Sequence, residues 1–499
     1  MDKKKIINTI EYTLVIITGI VYVLQCSSWT SPLYPYAYGY DSSWYAMMGR
    51  AITCGKVPYR DYFDLKGPML FFYEAFGQLF LRDRNGIFLI QCISITITVV
   101  LIWKIAKLFT GRLGAAIVLF LYYYFAYALM WGGNTVEELF MPCSMAAVFL
   151  TLDFIIRGDG AAVSARHSAL IMGIGFGIYF FSKMTVAAVI CASVLTVIII
   201  LIKRREYDLI LKCALYFLGG VLIVAVPLFI YFIVNGALKD FIYCVFVFAF
   251  RRSTDYYESF SLKWELNLLL CYAGFFYGLC MKHETKEDDQ RRMYLIITAV
   301  TQYLLLHFGT PYLYYFLCQM PVLVITAVYF IKDMTDNINE LREKGILNVK
   351  PGLRGIAICF IMFLVFDSYY PLTSDKFKEN LMIYEEETGK NQYFDCKEIS
   401  ALVPEWERSG IYNLESGMIY YEINQELPSN KYPVNLPYFL HLDPRIKSDV
   451  MSKLTLHTPK WIISERMWDF DDEDVKDFVF SHYELIAEND GEELYRVID

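Results

Sequence analysis

Long apolar runs near residues 6–26, 85–108, 113–130, 136–156, 168–181, 184–202, 209–235, 264–281, 293–308, 312–331 and 353–371 set the first limit on what this chain can become. A hydrocarbon layer ~30 Å thick offers backbone groups no water, so a crossing segment must be a helix of about 20 residues that satisfies its own hydrogen bonds. A twelfth run, 239–250, is too short to cross alone and reads as a cap or interfacial piece, which leaves about eleven crossings. The expected class is therefore mainly α, a polytopic membrane protein. The 56% hydrophobic content and mean hydropathy of +0.36 agree.

Charge separates two parts. Residues 372–499 hold 13 Lys+Arg against 27 Asp+Glu, a balance of −14, whereas the whole chain carries −8 and residues 1–371 therefore +6. An acidic tail thus follows a mildly basic membrane part. The expected domains are 1–371, with a first external loop at 27–84, and 372–499.

The run at 6–26 follows three lysines, lacks a small-residue cleavage site and is long enough to span, so it reads as a retained anchor. Basic residues gather in loops 104–112, 157–167, 203–212, 282–292 and 332–354. By the positive-inside rule these are cytoplasmic, as is the N-terminus, and an odd number of crossings places the tail outside. Every loop with unusual polar chemistry then falls on the outer face.

The tail reads as a small α/β domain. Residues 460–464 form a short buried strand, and two strands flank Asn489-Asp490-Gly491, a strong hairpin signal. The acidic run 469–477 lacks calcium-loop spacing and reads as the start of a solvated helix. The cysteines, mostly inside apolar runs, read as packing residues, and no Cys or His grouping suggests zinc.

The stretch Gly55-Lys-Val-Pro-Tyr-Arg-Asp-Tyr-Phe-Asp-Leu-Lys-Gly-Pro68 gathers Lys56, Arg60, Asp61, Asp64 and Lys66 between two short amphipathic segments, 41–51 and 68–80. Neither segment is polar enough to float free or long enough to span. Both are expected flat on the outer membrane surface, with the charged link at headgroup depth.

With Asp41-Ser-Ser-Trp-Tyr45 ahead of it, this stretch resembles the first external loop of the GT-C glycosyltransferases, and within them bacterial relatives of protein O-mannosyltransferase and of the lipid A aminoarabinose transferase (glycosyltransferase family 39-like). Weaker similarities lie at Gly133-Asn-Thr-Val-Glu-Glu138 and at 311–321, which is similar to that class's aromatic approach to a late helix. The resemblance implies a GT-C fold and transfer of a sugar from a polyprenyl-phosphate carrier to a lipid, glycan or protein acceptor at the outer face, usually with inversion. In enzyme terms that is a hexosyl- or pentosyl-type transferase.

The residues suit that chemistry. A departing lipid phosphate needs cations at headgroup depth. Lys66 is the first candidate and matches the lysine of the class's Lys-Pro-Pro-like motif, here Lys-Gly-Pro. Lys183, Arg251 and Arg252 are further phosphate-binding candidates, with a simple turn lysine as the alternative for Lys183. The acceptor hydroxyl needs a general base. Asp41 matches the class's first-loop aspartate, and Asp64 and Glu137 are secondary candidates, as metal or sugar-hydroxyl ligands, a helix-start acid being the alternative for Glu137. With Asp61-Tyr-Phe-Asp64 in place of an Asp-x-Asp motif, a divalent metal is possible but not required.

Arg50, Arg60, Arg82 and Arg84 read as headgroup anchors, Tyr312, Tyr314 and Tyr315 as an interfacial aromatic belt, and His307 as a satisfied helix-end histidine. The expected setting is a bacterial plasma membrane and cell-envelope synthesis, with no nucleic acid among the partners. A lipid or oligosaccharide transporter or flippase is the alternative. Few ionisable groups fall near the midplane and no related halves are visible, which favours the enzyme.

Overall fold

The structure is a computed structural model that describes residues 3–158, 162–251, 262–281, 284–307, 312–343, 392–414, 417–434, 436–489 and 492–498. The expected span 353–371, the division at 371/372, Arg252 and the centre of the predicted hairpin turn lie outside the described residues. Six described helices are long and apolar enough to cross a membrane: Lys5–Cys26, Asp83–Phe109, Arg112–Leu129, Met184–Arg204, Tyr207–Val234 and Leu313–Glu340. The chain is a multi-pass membrane protein, mainly helical, with one small sheet.

Its residues divide into two compact units. The first comprises Met1–Ser27, Ile90–Leu228 and Tyr256–Phe377. Helices Met141–Arg157, Ala162–Phe180, Leu269–Cys280 and Lys286–Leu306 pack among its longer spans. Small residues let backbones approach closely where lipid offers no hydrophobic drive of its own. A Cβ on Gly173 would lie 2.0 Å from the Phe217 carbonyl oxygen, so only glycine fits there. The Lys286–Leu306 helix starts at a capping box in which the Thr285 hydroxyl accepts from the Asp288 amide and the Asp288 carboxylate accepts from the Thr285 amide.

The second unit comprises Ser28–Leu89, Phe229–Asp255 and Lys378–Asp499. Its Pro68–Phe80 helix starts where Gly67 is extended and Pro68 fills the first turn, a position with no intrahelical use for an amide proton. Phe76, Leu79 and Phe80 form an exposed apolar edge of this helix, as an interfacial element requires.

Tyr40–Thr53 departs from expectation. It is not a helix with one face left for lipid, because Ser42 through Ala51 are all buried. Its neighbours are Pro68–Phe80 and the tail helix Met418–Asn424. Side chains as small as Ser42, Ser43, Ala46 and Gly49 let both come close, and a Cβ on Gly49 would sit 2.7 Å from that of Glu74.

The short run 239–250 forms Leu238–Ile242 and a widened π-helical turn, Tyr243–Phe248. In the tail, β1 (Tyr412–Asn413), β2 (Trp461–Ser464), β3 (Tyr483–Glu488) and β4 (Glu493–Val497) form a sheet in the order β1-β2-β4-β3. β2 is buried throughout and pairs parallel with β1 and antiparallel with β4. The β3–β4 pairing is antiparallel, with Leu485 and Ile486 exposed on the edge strand. The acidic run opens helix Glu473–His482, capped by Asp472, which accepts from the Val475 amide.

Candidate active site

The charged stretch is braced almost everywhere except at its end. Arg60 pairs with Asp61 at 2.8 Å and donates to the Asn235 carbonyl, while Asp61 also accepts from the Val57 amide at 2.7 Å. Burial raises the Asp61 pKa, but Arg60 and that amide outweigh it and hold the carboxyl below its usual value. Asp64 is buried and accepts from the Trp44 indole and from the Leu65 and Lys66 amides, the last at 3.0 Å. Tyr59 adopts a left-handed φ of 69°, and its hydroxyl donates to the Lys66 carbonyl at 2.6 Å. The loop thus fixes the Lys66 backbone from both sides.

What this frame presents is a pair. Lys66 Nζ lies 3.6 Å from Asp41 Oδ1, with the two side chains 33% and 32% exposed, so a ligand can reach both. The ammonium also stands 5.1 Å from the Tyr45 ring centroid. Asp41 occupies the first turn of Tyr40–Thr53, and the N-cap is Gly39. Asp41 is therefore not the cap of its helix.

In the first unit, Gly132, Gly133 and Asn134 all have positive φ, and a Cβ on Gly133 would fall 2.1 Å from Ser27 Oγ. This tight turn leads into the short helix Val136–Leu139. Glu138 closes it by accepting from the Asn134 amide at 2.9 Å and from Gln91, and burial pushes its carboxyl up to about 7 against those hydrogen bonds. Glu137 is buried and pairs with Lys183 at 2.5 Å. Lys183 Nζ stands over the Tyr315 ring and 5.6 Å from that of Tyr314, whose ring lies 5.8 Å from Trp131. Burial disfavours the ammonium, but Glu137 and Tyr315 together raise its pKa. Tyr314 and Tyr315 thus belong to a packed charge-and-aromatic cluster more than to a belt.

Residues 66–250 match the family described as dolichyl-phosphate-mannose-protein mannosyltransferase. Two crystal structures of ArnT from Cupriavidus metallidurans are similar over nearly the whole chain. The one bound to undecaprenyl phosphate is 12% identical with a TM-score of 0.62, covering 97% of each chain. The apo form is 12% identical with a TM-score of 0.61, covering 98% of each. The chain therefore shares the fold of these ArnT structures. No curated protein sequence matches it.

Within this fold, the structure joins Asp41 to Lys66 in one unit and Glu137 to Lys183 in the other. Arg251 lies 3.8 Å from Asp443, a carboxylate already held by Arg445 and by the Tyr243 hydroxyl and kept well below its usual pKa. Among the described residues no group of three or more His, Cys, Asp or Glu side chains is placed to hold a metal ion.

Two headgroup-anchor readings are overturned. Arg50 is buried, pairs with Glu422 at 2.8 Å and donates to the Tyr421 and Glu426 carbonyls. Arg84 donates to the carbonyls of Ser28, Trp29, Tyr34 and Pro35 and lies 4.4 Å from the Tyr38 ring centroid. A guanidinium has five donors in one plane, and here they gather backbone carbonyls that water would otherwise have to satisfy. His307 donates through Nδ1 to the Tyr303 carbonyl and faces Glu265, as a satisfied helix-end histidine should.

Proposed function

We propose that the chain transfers a sugar from a polyprenyl-phosphate carrier to an acceptor on the outer face of a bacterial plasma membrane, with inversion. The observation that carries this is the one-third-exposed Asp41–Lys66 pair, held by a loop whose Arg60, Asp61 and Asp64 are engaged elsewhere. The GT-C fold and the ArnT structure bound to undecaprenyl phosphate support the choice of donor.

In this reading the acceptor hydroxyl attacks the anomeric carbon while the bond from that carbon to the phosphate oxygen breaks. Asp41 takes the hydroxyl proton and Lys66 offsets the charge that develops on the leaving phosphate. One displacement inverts the anomeric centre. Asp64, committed to Trp44 and two amides, positions Lys66 and is not the base. Arg251, in the same unit as Lys66, is a further phosphate-binding cation.

Cells lacking the protein should accumulate a polyprenyl-phosphate sugar, seen by mass spectrometry of lipid extracts, and restoring the gene should clear it. An unchanged lipid-linked sugar pool would refute the donor assignment.

A further inference from the structure

Apart from Asp41 and Lys66, the second unit holds an open cleft of about 840 Å³. That size is near the top of the ~300–1,000 Å³ range of small-ligand pockets, more than a lone ion needs. Polar side chains dominate its walls, which suits neither a prenyl nor an acyl chain. Five cations line it, Lys56, Arg60, Arg408, Lys431 and Lys453, against three acids. This excess among the lining residues stands in a unit whose tail, residues 378–499, carries 12 Lys+Arg against 26 Asp+Glu.

The charges fall into two groups. Arg60 is tied to Asp61 and the Asn235 carbonyl, and Lys431 to Asp240 at 3.1 Å, so both are fixed parts of the wall. Of the acids, Asp61 is neutralised by Arg60, Glu426 lies in the field of Arg408, and Glu405 is exposed to water. Lys56 is exposed at the rim. Lys453 lies 3.8 Å from Asp449 with both side chains about 40% exposed, a water-screened contact that a ligand anion can replace. Arg408 donates through Nε to the Val403 carbonyl, which orients the guanidinium.

We propose that this cleft binds an anionic oligosaccharide through Lys56, Arg408 and Lys453, and that this is the charged part of the acceptor. Its role as acceptor site rests on the glycosyl-transfer reading; the binding itself does not. Spread cations against a carboxylated or phosphorylated glycan give selectivity for charge and a strong dependence on salt.

The test uses the purified full chain in nanodiscs, with oligogalacturonate, a neutral maltooligosaccharide of the same length and inorganic phosphate as probes. Oligogalacturonate should bind at least tenfold more tightly than the neutral sugar, weaken as salt rises, and resist displacement by equimolar phosphate. Lys56→Glu with Lys453→Glu should lower its affinity at least tenfold. If the double variant melts lower than the parent, Lys56→Gln with Lys453→Gln should still give a severalfold loss.

Equal binding of the neutral sugar, displacement by equimolar phosphate, no binding at all, or full affinity in the charge variants would each overturn the assignment. Selective binding by a protein whose deletion leaves no lipid-linked sugar would support the cleft and sink only the transfer reading.

Discussion

At the scale of the residue, Lys66 and Asp41 stand out because everything around them is spoken for. Asp64 shows how far sequence can mislead at this scale. As a carboxylate two positions before Lys66 it reads as a candidate ligand for a metal or a sugar hydroxyl, but the Trp44 indole and two amides occupy its oxygens. No sequence signal reports those bonds, since Trp44 sits a helix away. The Gly67-Pro68 that follows Lys66, by contrast, was legible as a helix start that fixes the chain's exit. If the Lys66 ammonium offsets a phosphate in a partly dry site, Lys66→Ala should cost about 2–4 kcal/mol of transition-state stabilisation, roughly 10²–10³ in turnover. Lys66→Arg keeps the charge and should retain part of the rate. Unchanged turnover by a stably inserted Lys66→Ala protein would reduce the residue to an anchor.

At the scale of the element, helices with local signals were legible and those defined by distant partners were not. Pro68–Phe80 follows from a Gly-Pro start, and the antiparallel β3–β4 pair from the strand patterns on either side of residues 489–491. The burial of Tyr40–Thr53 does not, because Arg50 and its partner Glu422 are 372 residues apart. Breaking a buried ion pair strands one charge, so Arg50→Ala should destabilise the second unit by about 3–5 kcal/mol. Limited proteolysis should then cut within 392–489 far faster than in the parent, and equal cleavage rates would contradict the tether.

The Val136–Leu139 element predicts a pH effect of definite sign. The Glu138 carboxyl sits at about 7 against an ordinary 4.5, so the folded state holds a proton there that the unfolded chain has lost. The corresponding stability is fully present below 4.5 and disappears as pH rises through 7. Glu138→Gln should flatten that part of the Tm-against-pH curve between these values. An identical slope in parent and variant would show that Glu138 does not titrate this way.

At the scale of the whole molecule, the sequence conveys a membrane part and an acidic tail in succession, whereas the chain folds as two units that each draw on separated segments. Hydropathy reports which segments are apolar, and charge reports where composition shifts. Neither reports which distant segments pack together, so residues 28–89 and 229–255 could not be grouped with the tail beforehand. The grouping matters for function, because it builds the Asp41–Lys66 pair and the braced loop into the same unit as the tail. The account as a whole depends on that pair performing the transfer.

Its most direct test is the turnover of Asp41→Asn, with the lipid-linked sugar that accumulates in deletion cells supplied as donor. Asparagine keeps the shape but cannot accept the hydroxyl proton, and Gly39, not Asp41, caps the helix, so no capping effect enters. The account predicts a loss of about 10²–10⁴ in turnover with donor binding retained and an unchanged Tm. Near-parental turnover by the folded variant would contradict it.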